Sequence, residues 1–418
     1  MASSLAFWIE KSKRETAETS HDQSDAQDKE MSSVELHFNY WLLEAEKRSV
    51  CENLCSYLSL SRKKSNEGNL EYLDIGVKFK NSGLLESLNV YLPFQIDNED
   101  YISTLGDTIC KDIELISTVF NRSVGKVEPN EELGCYDIDL IQQGTPNPTL
   151  RFYTHLALAP SNDGVEIKKS DELNGGTQIV FPGTLFEGLE DNMEGYFRFR
   201  IVLTAKNRGV ISKVDKPKDS WLTNYFDKSE LVDFRLNEAR ILPTAIRRKV
   251  SKYHQIRKIH YFLIRDASSE YKAAHSEYKC RLLEEELWSK YLGYNGMCIR
   301  NNMLIYHWSD KAKDQSSLDN FSAFARFIRR KVTIIQIVTG LLFIFVIGVA
   351  SGLFVNYIWQ CFDEGVQSSS EHLTSEADNH MGSNETSGFL MSEIETPFKL
   401  DKNSCCEFHL VESESYED

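Results

Sequence analysis

Apolar and polar positions alternate along several stretches of this chain. Leu73, Ile75, Val77 and Phe79 alternate with Asp74, Gly76, Lys78 and Lys80. Side chains of a strand point to opposite faces in turn, so this period predicts a strand with one apolar face. Asn81-Ser-Gly83 is a turn signal, and Leu88, Val90 and Leu92 follow on one face, which predicts a hairpin. Further strands are expected at 136–140, 150–158, 177–181 and 197–203, and later at 259–265 and 303–308. Pro182-Gly183 ends the third of these six.

Three stretches carry helical spacing instead. Leu36, Tyr40, Leu43, Val50 and Leu54 predict a helix over 34–58. Leu105, Ile109, Ile113, Ile116 and Phe120 predict one over 103–120, and a charged helix is expected over 269–292. Clean alternation argues for antiparallel pairing and against a parallel sheet buried on both faces. The expected class is α+β: a largely antiparallel, β-sandwich-like cytosolic domain with flanking helices, plus one C-terminal transmembrane helix.

The membrane assignment rests on the apolar run 332–359, which contains no Asp, Glu, Lys or Arg. About 20 such residues suffice to cross a bilayer. Arg326, Arg329, Arg330 and Lys331 precede it, and no Lys or Arg follows until Lys399. The positive-inside rule then puts the bulk of the chain in the cytoplasm and the tail outside. The expected organisation is a polar mobile leader or short docking helix (1–33), a β-rich domain (34–228) and an α+β extension or second subdomain (229–308). A linker with an interfacial basic helix (309–331), the membrane helix and an acidic disordered tail (360–418) complete it. The interfacial helix would set Phe324, Arg326, Phe327, Arg329, Arg330 and Lys331 at the headgroups. Within the membrane helix, Gly340, Gly348 and Gly352 form a small-residue face suited to self-association.

Charge and chemistry narrow the function less. The net charge is −16, but fourteen acids against Lys399 and Lys402 put −12 of it in residues 361–418. The remainder is near balance, with no global signal for nucleic acid. The cysteines have no paired metal-binding spacing, and those before the membrane are expected as free thiols. No phosphate loop, nucleophile elbow or His-Glu-x-x-His is present. No cofactor is expected. His254 and His260 stand without Asp or Cys at ligand spacing, and Asp233 with Glu238 forms a polar cluster more suited to ion pairs than to a metal.

The strongest chemical signal is basic. Arg247, Arg248, Lys249, Lys252, Arg257, Lys258 and Arg265 fall within one stretch free of acids. They are candidates for binding phosphate, on a lipid, a nucleotide or a nucleic acid. The leading reading is a non-enzymatic, membrane-anchored sensor or adaptor that self-associates and binds a protein partner or a phosphorylated ligand. A membrane-disrupting effector of the defence type is the alternative. A tethered metal-dependent nuclease or phosphohydrolase is the third.

Overall fold

The structure is a computed structural model describing residues 3–11, 33–43, 70–80, 85–141, 149–159, 164–190, 193–204, 206–207, 209–215, 227–252, 255–274, 276–292, 302–313, 316–330 and 334–377. The chain divides into two units, Met1–Thr333 and Ile334–Asp418.

The strands of the first unit are, in chain order, β1 (Ala6–Lys11), β2 (Val34–Leu43), β3 (Leu70–Lys80), β4 (Leu85–Leu92), β5 (Tyr101–Ile102), β6 (Ser123–Asn130), β7 (Cys135–Ile141), β8 (Thr149–Tyr153) and β9 (Glu166–Lys168). They continue with β10 (Thr177–Pro182), β11 (Glu194–Leu203), β12 (Ser212–Asp215), β13 (Asp227–Leu236), β14 (Ile256–Asp266), β15 (Ser269–Ala274), β16 (Lys279–Leu282), β17 (Met303–Lys311) and β18 (Phe321–Arg330). Among the described residues four short α-helices accompany them: α1 (Leu105–Cys110), α2 (Ile113–Phe120), α3 (Thr244–Lys252) and α4 (Glu285–Leu292). The fold is thus mixed β-sheet with few helices.

Among the described residues, the strands form three sheets. The largest runs β16-β17-β14-β2-β3-β11-β8-β7-β6, with β5 also on β11. Two four-stranded sheets run β1-β4-β10-β9 and β12-β13-β18-β15. One apolar face of the large sheet packs on both smaller sheets. Phe181 of β10 lies 4.7 Å, ring to ring, from Phe197 of β11, and Phe234 of β13 lies 4.2 Å from Tyr261 of β14. Leu36, Phe38, Ile75, Val77, Phe197 and Phe199 are buried in this core, each contributing about 1.5–3 kcal/mol of transfer free energy. The opposite face of the large sheet packs on helices, where Trp41, Ile109, Ile116, Trp288 and Tyr291 form a second core.

Several expectations change. Residues 34–43 are a strand, not the start of a helix; 44–58 lie outside the described residues. Leu36 and Tyr40 are four apart, which is a whole number of strand periods as well as about one helical turn. Val34, Leu36, Phe38 and Tyr40 all face the main core. Residues 6–11 of the expected leader are a strand too. Leu5, Phe7 and Ile9 enter the main core, while Ala6 and Trp8 are covered by Leu242, Ile246 and Val250 around α3. β3 and β4 do not pair as a hairpin: β3 pairs β2 and β11, and β4 pairs β1 and β10. Alternation specifies a face, not a partner.

Residues 103–120 are helical as expected, in two pieces. Asp112 caps the second by accepting from the backbone N–H groups of Glu114 and Leu115. The charged helix over 269–292 resolves into β15, β16 and the shorter α4. The interfacial helix is instead strand β18, paired with β13 and β15. Phe321, Ala323, Ala325 and Phe327 are buried at alternate positions, while Ser322 and Arg326 are exposed. Parallel pairing also occurs, between β2 and β14 and between β8 and β11.

The second unit is described over one helix, α5 (Ile334–Ala377). Its segment Ile337–Gln360 is long and apolar enough to cross a membrane, with a mean hydropathy of 2.5 and exposed side chains. Gly340, Gly348 and Gly352 lie on it with open space where a Cβ would stand.

Candidate functional site

The face of the large sheet away from the main core carries polar side chains in register. On β2, Glu35, His37 and Asn39 share it. Across the parallel β2–β14 pair, Lys258 lies opposite Glu35 and His260 opposite His37. On the other side, His37 faces Gly76 of β3, and Gly76 faces Arg198 of β11. One row across the sheet therefore reads Arg198, Gly76, His37, His260. On β17, His307 lies opposite Phe262. All of these residues except Gly76 line a cavity of about 520 Å³, whose other walls include Thr118–Arg122 at the end of α2, Trp288 of α4 and Lys279–Arg281 of β16. That size matches small-molecule sites, which span roughly 300–1,000 Å³.

Glu35 Oε1 is the hub. His260 Nε2 lies 2.9 Å from it, Lys258 Nζ 3.0 Å and His37 Nε2 3.3 Å. Burial alone would raise the Glu35 carboxyl, but His260, His37 and Lys258 outweigh it and hold the group well below the usual carboxylate range. An ionised carboxylate only accepts, so His260 Nε2 carries a proton in this contact. His260 Nδ1 lies 2.8 Å from His307 Nε2, which extends the chain to a second imidazole. Burial pushes His37 down to about 4 despite Glu35, and burial with the neighbouring His260 does the same to His307. Both rings are neutral at pH 7. His37 Nε2 is buried and, although close to Glu35, is not aligned to donate to it.

Arg198 is a charged group in a buried place. It is 2% exposed. Nη1 donates to the Tyr196 hydroxyl at 3.1 Å, whereas Nε and Nη2 are buried without a hydrogen-bond partner. The guanidinium lies 5.6 Å from the Tyr291 ring centre. A guanidinium does not lose its proton in a protein, so this is a buried positive charge with two unused donors. Gly76 makes the room. A Cβ there would collide with the Tyr196 hydroxyl and meet His37 Cβ at 3.4 Å.

Arg200, two residues on, is handled differently. It forms a bidentate pair with Asp74, at 2.6 and 3.0 Å. Asp74 also accepts from Trp41 Nε1 at 2.8 Å and the Tyr291 hydroxyl at 2.7 Å. Every oxygen of this fully buried carboxylate is used, which makes the pair a fixed floor beside the cavity.

The basic stretch expected to bind phosphate is divided among several places. Arg247, Arg248, Lys249 and Lys252 lie on α3. Arg247 donates to the Leu242 carbonyl, and Lys249 pairs with Glu10 at 3.2 Å above the Trp8 ring. Arg265 is buried, bonded to Glu230 and Ser269, with its guanidinium 3.8 Å from the Phe327 ring centre. Arg257 donates to the Ser316 carbonyl and borders a smaller cavity, of about 270 Å³, that shares Glu35, Lys78 and Lys258 with the first. Lys258 alone of the seven lines the main cavity.

Asp233 and Glu238 do not converge: each pairs with the arginine two residues on, Arg235 and Arg240. Phe327 is in the core, Phe324 is half-buried, and Arg326 donates to the Ser229 hydroxyl. Arg329 and Arg330 end β18; Lys331 and His254 lie outside the described residues. Cys110, Cys135 and Cys280 are free thiols, and Cys280 borders the cavity.

Sequence reasoning missed Glu35, His37, Arg198 and His307. The available signal was spacing: Glu35-x-His37 and Lys258-x-His260 each put two polar groups on one strand face, and Arg198 and Arg200 alternate with Phe197 and Phe199.

No family model matches the chain, and no curated protein matches it. A solved structure of the Fcho1 Mu homology domain from Danio rerio, with bound Eps15 peptide, is similar at 7% identity over 71% of this chain and 78% of that one. Its TM-score of 0.13 carries no argument about fold or function.

Proposed function

We propose that this chain is a single-pass, membrane-anchored binding protein whose sandwich-like cytoplasmic domain takes a small phosphorylated ligand into the cavity over the polar face of its large sheet. The observation that carries this reading is Arg198: buried, cationic, and with Nε and Nη2 unpartnered. Those two nitrogens are the pair that a guanidinium offers edge-on to two oxygens of a phosphate or carboxylate. Lys78, Arg122, Lys258, Lys279 and Arg281 also line the cavity, against the single carboxylate of Glu35. That balance selects an anion, and phosphate uses the excess charge better than a monocarboxylate. Phe120, Phe262 and Trp288 offer apolar surface for the rest of the ligand.

The membrane part of the proposal rests on Ile337–Gln360 and on the basic residues before it. They favour a cytoplasmic binding domain and an outer tail. Ligand binding and helix association through Gly340, Gly348 and Gly352 would together make a sensor. The membrane-disrupting alternative needs the same association step.

The test is calorimetric titration of the full-length protein in detergent with inorganic phosphate, pyrophosphate and ATP. At least one binds, and Arg198→Met weakens it by tenfold or more. Absence of binding by all three, or equal binding by the variant, refutes the reading.

A further inference from the structure

We propose that Glu35, His37 and His260 hold one divalent first-row transition-metal ion, of the zinc class, in the wall of this cavity. The inference goes beyond the anion reading and does not depend on it, because Arg198 belongs to neither the ligand set nor its hydrogen bonds.

Two histidines and one carboxylate are the donor set of many catalytic zinc and mononuclear iron sites. Here they come from two adjacent strands in register, His37 opposite His260 and Glu35 two positions before His37. Their donor atoms lie within 4.8 Å of one another. Glu35 Oε1 stands 2.9 Å from His260 Nε2 and 3.3 Å from His37 Nε2. Donors around an ion held at about 2.0–2.1 Å are roughly 3 to 3.5 Å apart in tetrahedral or octahedral geometry, so the two edges from Glu35 are already near their final lengths.

Three further details fit. His37 Nε2 is buried near Glu35 but misaligned as a donor to it, as expected of a lone pair facing a common centre. With His260 Nε2 on the metal, its Nδ1–H donates to His307 Nε2 at 2.8 Å, the outer partner that ligating imidazoles usually have. The three ligands line the cavity, which leaves a further coordination position for water or for an oxygen of a bound anion. Lys258 competes for the same Glu35 oxygen at 3.0 Å; on metal binding its flexible stem turns the ammonium towards the cavity.

The experiment uses the full-length protein in detergent, stripped with chelator and reloaded with Zn²⁺ or Co²⁺. Metal content is read by mass spectrometry and geometry by the visible absorption of Co²⁺. The expected result is one ion per chain, lost in His37→Gln and in His260→Gln, each checked for folding by circular dichroism. His307→Phe, which removes only the outer partner, weakens binding by about 10- to 100-fold. Arg198→Met keeps full metal content, so failure of the anion reading leaves this result untouched. The proposal is overturned if the wild type retains no ion, or if the folded His37 and His260 variants retain it as the wild type does. If both variants unfold, competition decides it: Zn²⁺ that fails to displace Co²⁺ from a site with imidazole-type spectra overturns it equally.

Discussion

Replacing Asp74 by Asn keeps the shape of a fully buried side chain and removes its charge. In the wild type, Asp74 accepts two bonds from Arg200 and one each from Trp41 and Tyr291. An amide has one acceptor oxygen, so its NH₂ group must face donors on the other side. Arg200, 3% exposed, is left as a buried charge without its counter-ion. Breaking a buried pair from one side costs about 3–5 kcal/mol. Against a typical stability of about 5–15 kcal/mol, this is a large fraction. Arg200→Met costs a similar amount by stranding the carboxylate. The double variant Asp74→Asn, Arg200→Met strands neither charge and keeps an acceptor for Trp41 and Tyr291. Its loss is smaller than the sum of the singles by about 3 kcal/mol, the upper range for directly coupled residues. Urea unfolding of the full chain in detergent measures this through tryptophan fluorescence, since Trp41 and Trp288 each lie within 6 Å of Tyr291, at 5.6 and 5.2 Å. A single-variant loss below about 1 kcal/mol, or strict additivity, refutes the claim that this pair is closed and dry.

Gly76→Ala drives a methyl group against the Tyr196 hydroxyl, whose ring is held between Phe120 and Phe152. Overpacking of this kind costs about 1–3 kcal/mol, read as a lowered Tm, and it weakens anion binding by displacing Arg198. Glu10 is held below its ordinary value of 4.5: burial would raise it, and the bonds from Trp8 and Lys249 outweigh that. Its folded value is below its unfolded one, so its contribution is complete above 4.5 and is lost as the pH falls through the folded value. Glu10→Gln therefore destabilises at pH 7, and its difference from the wild type in urea midpoints shrinks as the pH falls below 4.5; a difference that stays constant into acid contradicts the assignment. Gly348→Leu with Gly352→Leu reduces self-association in detergent and in vesicles by cross-linking; unchanged cross-linking removes that face from the account.

The strands of the first unit were legible where polar and apolar residues alternate, whether or not the polar side is exposed. β3, β7 and β11 follow from alternation, and β10, β14 and β17 from short runs rich in β-forming residues. β2 and β18 did not, for different reasons. β2 is covered on both sides, so Tyr40 and Trp41 are both buried and the period blurs into a helical one. β18 ends in basic residues just before an apolar run, a context that suits an interfacial helix equally well. The site was hidden by an assumption about polarity. By alternation Asp74, Arg198 and Arg200 fall on the polar side of their strands, yet each is buried beneath helices that pack on that face. Which strands neighbour one another decided the rest, since His37 and His260 meet only through a parallel pairing that no local signal marks.

That pairing also dictates when the site can exist. β2 leaves the ribosome more than two hundred residues before β14, so Glu35 and His37 wait through that interval for His260. Such long sequence separation makes folding slow, because loop closure precedes any reward from contacts. A nascent chain halted before Ile256 has the floor residues Asp74 and Arg200 but none of the cavity wall that β14 supplies. Binding competence is thereby acquired only once β17 has emerged, shortly before the apolar segment of α5.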